Sequence, residues 1–354
     1  MTRERAQRAP RLERVMGSLA GVAIGDAMGM PCEFLTRQQI AGRYGRLDRF
    51  VEPAEGHIHA GTRTRGQVTD DTEQTLALAF ALIQHGTITP EIAAQAYMKW
   101  ARETDAFNSS VLGPSSRRAL ERIAAGDDPR LTGCRGDTVG AAMRVAPIGL
   151  VNAGQLERAV EECYLSCLPT HGVSIAIGGA CAVACAVAAA AVADHAALRS
   201  GQPDPIDEIV SAALWGAERG EERGIKWAGA SVAARTRLAL RIVDEARDPA
   251  QAEEELYSVC GVGMNPTELV PTAIGIVKLY RGDCRRCVEA AVNMGGDADT
   301  LAAIVGGIAG AYQGIDAFPG DWVSTVESVN DIDFRRLAEQ LLAVIERRNA
   351  HDRN

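Results

Sequence analysis

The sequence predicts an all-α protein, and three observations carry that expectation. Ala-rich apolar runs recur along the 354 residues, aromatic residues make up only 5% of them, and the β-branched alternation of half-buried strands is scarce. The expected architecture is a compact orthogonal helical bundle. A single domain is expected over residues 11–348, with frayed tails at 1–10 and 349–354.

Taken in order, residues from Arg11 to Met30 read as a first helix with small residues along one face. Thr89 to Glu103 reads as another, opened by Thr89-Pro90-Glu91, which places a capping hydroxyl before a proline at the first helical position. Helical pattern continues at Ser116 to Ala125, Gln155 to Ser166, Asp207 to Glu218 and Ala233 to Ala246. The last four stretches are Pro271 to Tyr280, Cys284 to Asn293, Leu301 to Tyr312 and Asp333 to Arg348. Between these lie Gly- and Pro-rich loops, notably Gly56 to Gly66 and Phe107 to Pro114, and no fixed-period repeat.

The uncharged stretch from Gly172 to Ala193 is long enough to raise the question of a membrane span. Its Ala, Gly and Cys content, without aromatic anchors, instead predicts a central helix buried on all sides. The net charge of −9 and the lack of a long basic run with interleaved aromatics exclude direct nucleic-acid binding from the expected functions. No apolar stretch follows the charged start Met1 to Arg8, so a cytoplasmic location and no membrane partner are expected. Nine cysteines scattered through apolar runs read as buried free thiols, and Cys284-Arg285-Arg286-Cys287 lacks the second pair that a zinc site needs.

Two acidic clusters far apart in the chain hold the chemistry. Thr69-Asp70-Asp71-Thr72 gathers two carboxylates and two hydroxyls, and Gly295-Gly296-Asp297-Ala298-Asp299-Thr300 two carboxylates and a hydroxyl beside a flexible turn. Their donors are hard oxygens, which suit Mg²⁺, Mn²⁺ or Ca²⁺ rather than zinc or copper. Four converging carboxylates repel one another unless cations neutralise them, so two divalent ions are inferred if the clusters meet. Each cluster also precedes an apolar helical pattern. Taken alone, each therefore reads equally well as a helix cap, and only their doubling favours a metal site. An EF-hand is a poor alternative, because Asp297-Ala298-Asp299 runs on without the third ligand, glycine and distal glutamate at their required spacing.

Five segments together resemble the ADP-ribosylglycohydrolase family, metal-dependent hydrolases related to the dinitrogenase reductase-activating glycohydrolase and to ADP-ribosyl-arginine and ADP-ribosyl-serine hydrolases. They are Gly21 to Phe34, Gly66 to Thr75, Gly140 to Leu150, Thr170-His171 and Asn293 to Leu301, in a resemblance spanning about Arg11 to Pro319. It implies an all-α fold with two Mg²⁺ or Mn²⁺ ions in a cleft. Thr69, Asp70 and Asp71 match the first ligand set, and Asp297, Asp299 and Thr300 the second, with Asp70, Asp71 and Asp299 also serving catalysis.

The same resemblance makes Glu33 a candidate acid/base, although a solvated loop carboxylate is the plain alternative. His171 matches a histidine beside the phosphates of ADP-ribose, and Asp26 is expected to be structural, as a helix cap or a partner of the ligands. Leu112 to Arg118 resembles the phosphate loop: Gly113, Pro114, Ser115 and Ser116 offer backbone N–H groups and hydroxyls at a helix start. Gly295 and Gly296 are expected to contact substrate, whereas His57 and His59 would line the entrance without a catalytic role. One departure falls on the substrate side, where Asp137-Thr138-Val139 precede Gly140 and many members carry Asn. The implied reaction is hydrolysis of the glycosidic bond of an ADP-ribosylated side chain or small conjugate. Hydrolysis of a smaller N-ribosyl compound or nucleoside, or binding of ADP-ribose without catalysis, remain the alternatives.

Overall fold

Seventeen α-helices and no β-strand organise the described residues of this computed structural model, which are 10–109, 112–195 and 204–351. The all-α expectation is met, with one isolated bridge between Val173 and Ile225. Helix α1 (Leu12–Gly29) runs into a 3₁₀ turn ending at Cys32. Next comes α2 (Arg37–Tyr44), too short for periodicity to reveal. It is held by a reciprocal cap in which Thr36 Oγ1 accepts from Gln39 N–H while Gln39 Oε1 accepts from Thr36 N–H.

Helix α3 (Asp70–His85) follows the first acidic cluster, and α4 (Pro90–Glu103) opens as expected, Thr89 Oγ1 accepting from Ile92 N–H at 3.3 Å. After α5 (Pro114–Ala124) and α6 (Pro129–Thr132), a 3₁₀ stretch from Val139 to Arg144 leads into α7 (Ala146–Val151) and α8 (Leu156–Cys167). Every residue of α9 (Ser174–Ala190) is buried, as its uncharged sequence predicts. Around it pack α7, α8, α10 (Pro205–Arg223), α13 (Pro266–Leu279) and α15 (Ala298–Gln313). Helices α11 (Val232–Glu245) and α12 (Pro249–Glu255) precede α13, while α14 (Cys284–Val292), α16 (Gly320–Asn330) and α17 (Phe334–His351) complete the set.

Several expected boundaries move, α10 for one running on to Arg223 past the expected Glu218. Helix α13 starts at Pro266, capped by Asn265 Oδ1 on Thr267 N–H, and carries Pro271 inside it rather than at its start. Helix α17 continues to His351, into the segment expected to fray, while the remaining tail residues 1–9 and 352–354 lie outside the described ones. All nine cysteines are free and eight are buried, among them Cys284 and Cys287 on α14. Among the described residues one segment, Leu12–Cys32, is long and apolar enough to cross a membrane, yet 94% of its apolar window is buried inside the protein.

The contact that positions the site is between α1 and α15, near opposite ends of the chain. Gly17, Gly21, Gly25 and Gly29 fall on one face of α1, one every four residues, and meet Gly310, Gly306, Ala302 and Ala298 of α15. A Cβ added to Gly21 would lie 2.1 Å from Gly306 O, and one on Gly25 2.1 Å from Ala302 O, so the backbones touch. Gly29 fixes the functional end, because a Cβ there would stand 2.6 Å from Asp299 Cα. We expect Gly21→Ala to lower stability by about 3 kcal/mol in urea denaturation through overpacking. Gly42→Ala, inside α2 where an added Cβ meets nothing within 4 Å, should instead raise it by about 0.5–1 kcal/mol.

Candidate active site

Asp26, at the end of α1, is fully buried and joins the first acidic cluster to that helix. Its carboxylate accepts from Thr69 N–H at 2.9 Å, Thr69 Oγ1 at 2.8 Å, Thr72 N–H at 3.0 Å and Thr72 Oγ1 at 2.5 Å. The start of α3 is therefore capped from another helix, the structural role expected of Asp26. Thr69 itself, at the N-cap of α3, makes no side-chain capping bond, and Asp297 at the N-cap of α15 makes none either. Neither N-cap side chain therefore caps its own helix, although Asp299 Oδ1, in the first turn of α15, accepts from Thr300 N–H at 2.9 Å.

The two clusters meet. Thr69, Asp70, Asp71, Asp297, Asp299 and Thr300 line one cleft of about 240 Å³, together with Glu33 and His59. Burial and mutual repulsion raise every carboxyl there: Asp297 to about 7, Asp70 to about 8, and Asp71 and Asp299 well above the ordinary range. Asp26 is raised to about 6 by burial, against which its four donors act. Asp71 Oδ1 is buried and has no hydrogen-bond partner. An orphaned carboxylate oxygen in a floor of four mutually repelling aspartates is a donor set that fits divalent cations.

Glu33 closes one side of the cleft. Its carboxyl is pushed well above the usual range by burial, then by Asp299 and Asp70. Two histidines brace it, a feature that no sequence signal announced. His59 Nε2 lies 2.6 Å from Glu33 Oε2, and His57 Nε2 lies 2.9 Å from the Glu33 carbonyl oxygen. Burial lowers the pKa of His59 to about 4, so its ring is neutral. One ligand atom each from Glu33, His59 and Asp299 lie within 4.8 Å of one another, so a nitrogen donor stands beside the oxygen set. Phe34, at φ 59° and 53% exposed, adds an aromatic face to the same cleft.

Several expected contacts take another form. Gly295 and Gly296, at φ 73° and 66°, do not line the cleft. Gly296 instead exchanges hydrogen bonds with Phe34 N–H and Leu35 O at 2.6 and 2.9 Å, tying the acidic turn to the Glu33 loop. The glycines are required by close approach, since a Cβ on Gly295 would lie 2.2 Å from Leu35 O. Gly113, Pro114 and Ser116 line the cleft, whereas Ser115 faces a neighbouring cavity with Arg118 and Arg122, its buried hydroxyl unpartnered.

His171 lies one layer behind the wall rather than on it. It is fully buried, with Nδ1 2.8 Å from Thr170 Oγ1 and Nε2 3.0 Å from Thr138 Oγ1, and it is Thr138 that lines the cleft. Burial, then Arg144 and Arg118, depress its pKa well below the ordinary value and keep it neutral.

Comparison with known proteins places the chain among described relatives. A family model described as ADP-ribosylglycohydrolase matches residues 7–351. The chain is 36% identical to the uncharacterized protein YegU of Escherichia coli K12, over 96% of this chain and 99% of that one. It is 27% identical to ADP-ribosyl-[dinitrogen reductase] glycohydrolase of Rhodospirillum rubrum, over 94% of this chain and 96% of that one, and 26% identical to human ADP-ribosylhydrolase ARH3, over 95% and 94%. A solved structure described as an ADP-ribosylglycohydrolase-related protein complex superposes with a TM-score of 0.66 at 27% identity, covering 95% of this chain and 99% of that one.

The raised carboxyls make stability depend on pH when divalent cations are chelated away. Each of these acids titrates higher in the fold than in the unfolded chain, so its contribution is full below the unfolded value. It is lost as pH rises through about 6 for Asp26, about 7 for Asp297 and about 8 for Asp70. His59 acts in the opposite sense, its contribution being lost as pH falls from 6.5 to about 4. Calorimetry in chelator should give a Tm that is lower at pH 8.5 than at pH 6, and Mn²⁺ should raise Tm more at the higher pH. A metal-free Tm that stays level across this range would contradict the electrostatic account.

Proposed function

The chain belongs to the ADP-ribosylglycohydrolase family, and from that premise we propose that it is a dinuclear-metal-dependent hydrolase releasing ADP-ribose from an ADP-ribosyl conjugate. The observation that carries this reading is the meeting of Glu33 with both acidic clusters in one cleft. Thr69, Asp70 and Asp71 from one side and Asp297, Asp299 and Thr300 from the other are the residues that would hold the ions, Mg²⁺ or Mn²⁺. Divalent cations there supply Lewis acidity towards ribose hydroxyls and water.

Cleavage at an anomeric carbon passes through an oxocarbenium-like state, in which positive charge grows on the sugar while the leaving group takes up a proton. The acidic floor favours that charge. Glu33, half-buried beside it with a carboxyl that burial pushes upward, is the donor to the leaving group, and after departure its carboxylate takes the proton from the incoming water. His59 holds the Glu33 carboxyl in place from the side, and its neutral ring adds no competing charge. Thr138, Gly140 and Gly113 form the opposite wall, where the remainder of the conjugate is held.

The substrate class we favour is an ADP-ribosylated protein side chain such as arginine or serine, or a small ADP-ribosyl compound. A smaller N-ribosyl compound or nucleoside is the second reading, favoured by the cleft volume of about 240 Å³. That volume lies below the roughly 300–1,000 Å³ of sites enclosing larger ligands. Relative kcat/KM on ADP-ribosyl-arginine, ADP-ribosyl-serine and free nucleosides separates the two. Tight calorimetric binding of ADP-ribose with no product from any of them would mark a binder that does not catalyse.

Asp70→Asn and Asp299→Asn should each abolish turnover and weaken Mn²⁺ by more than the about 10–100-fold that losing an outer partner costs. Full activity of either variant after exhaustive chelation would sink the metal-dependent reading. Glu33→Gln should lower kcat by about 10²–10⁴-fold while Mn²⁺ and ADP-ribose binding persist. An unchanged kcat would remove Glu33 from the chemistry.

A further inference from the structure

Arg144 is the largest fully buried side chain among the described residues, 1% exposed, and its guanidinium ends on no carboxylate among them. One amino group donates to Gln74 Oε1 and the other to Thr170 Oγ1 at 2.6 Å, while Tyr97 lies beneath with its ring centre 3.8 Å from Cζ. A buried guanidinium is costly, and an apolar side chain of similar volume fills a helical core more favourably. What distinguishes this one is where its two bonds lead.

Gln74 leads to the floor. A guanidinium only donates, so Gln74 must turn its oxygen to Arg144, which points its amide N–H at Asp70 Oδ2, 2.9 Å away. One oxygen of Asp70 is thereby fixed and the other is left for a cation. Thr170 leads to the wall. His171 Nδ1 lies 2.8 Å from the Thr170 hydroxyl that Arg144 holds, and His171 Nε2 lies 3.0 Å from the Thr138 hydroxyl at the cleft. Asp70, Gln74, Arg144, Thr170, His171 and Thr138 thus form one unbroken chain of hydrogen bonds. It passes behind the cleft from its acidic side to its opposite side.

We propose that Arg144 is a positioning residue with two arms, Gln74 orienting Asp70 for a divalent cation and Thr170 with His171 orienting Thr138 for the ADP-ribosyl group. The inference rests on the proposed metal-dependent reading of the cleft. It assigns Gln74 and Thr170 separable tasks, which a role in stability alone would not do.

The test is calorimetric titration of Mn²⁺, and of ADP-ribose at saturating Mn²⁺, with Tm recorded for each variant. Gln74→Met should weaken Mn²⁺ about tenfold or more with ADP-ribose affinity kept, because outer partners orient ligands at that scale. Thr170→Val should do the reverse. Arg144→Met should weaken both. Arg144→Lys should not restore them, since a point charge cannot hold two acceptors in a planar fork. The proposal is overturned if Gln74→Met and Thr170→Val leave both constants at the wild-type value, or if each shifts both constants equally, as a general loosening would. If the wild-type chain takes up no Mn²⁺, the metal-dependent reading itself fails and takes this inference with it.

Discussion

Everything in the cleft depends on how closely α1 approaches α15. Four glycines at four-residue spacing remove the side chains that would hold the helices apart, and backbone meets backbone along the whole contact. At its functional end this contact sets Gly29 against Asp299 and carries Asp26 to the start of α3. The second acidic cluster is therefore placed by packing, and the first by a cap donated from the same helix. A fold built from the two ends of the chain and a buried central α9 thereby becomes a single acidic floor.

That floor stores electrostatic repulsion. Six carboxyls crowd together, those of Asp26, Asp71, Asp297 and Asp299 buried and those of Glu33 and Asp70 half-buried, and each is held above its ordinary pKa, Asp26 by burial and the other five by burial and by their neighbours. Packing from the rest of the fold must hold them in place, because isolated buried charge is among the most unfavourable things a fold can carry. The same crowding gives the residues different tasks. Asp26 is saturated with four donors and stays structural, Asp71 keeps a bare oxygen, and Glu33 is screened by a neutral histidine on its outer side. Chemistry of this kind needs both ionised ligands and a protonated acid within one small volume.

Much of this was legible in the chain. Composition and periodicity gave the helical class, the small-residue face of α1 and the fully buried α9. The doubled clusters pointed to a shared site because helix caps do not need four carboxylates. What stayed hidden was whatever depends on contacts between distant segments. Nothing in the spacing of Asp26 and Thr69 says that one caps the other, and nothing announces that His59 reaches Glu33 from 26 residues away. His171, Ser115, Gly295 and Gly296 were expected at the ligand and instead stand behind or beside the wall, since a motif reports which residues gather but not which layer each occupies. The short helices α2, α6, α7 and α12 escaped because none is long enough to show an apolar stripe, and the 11-residue α16 escaped as well.

The central claim is that the two acidic clusters form one cation site. Crystals grown with Mn²⁺ and measured at the manganese absorption edge test it most directly. Two anomalous peaks between Asp70, Asp71, Asp297 and Asp299 are the predicted result. An empty floor at saturating Mn²⁺, or manganese found only elsewhere on the chain, would contradict it.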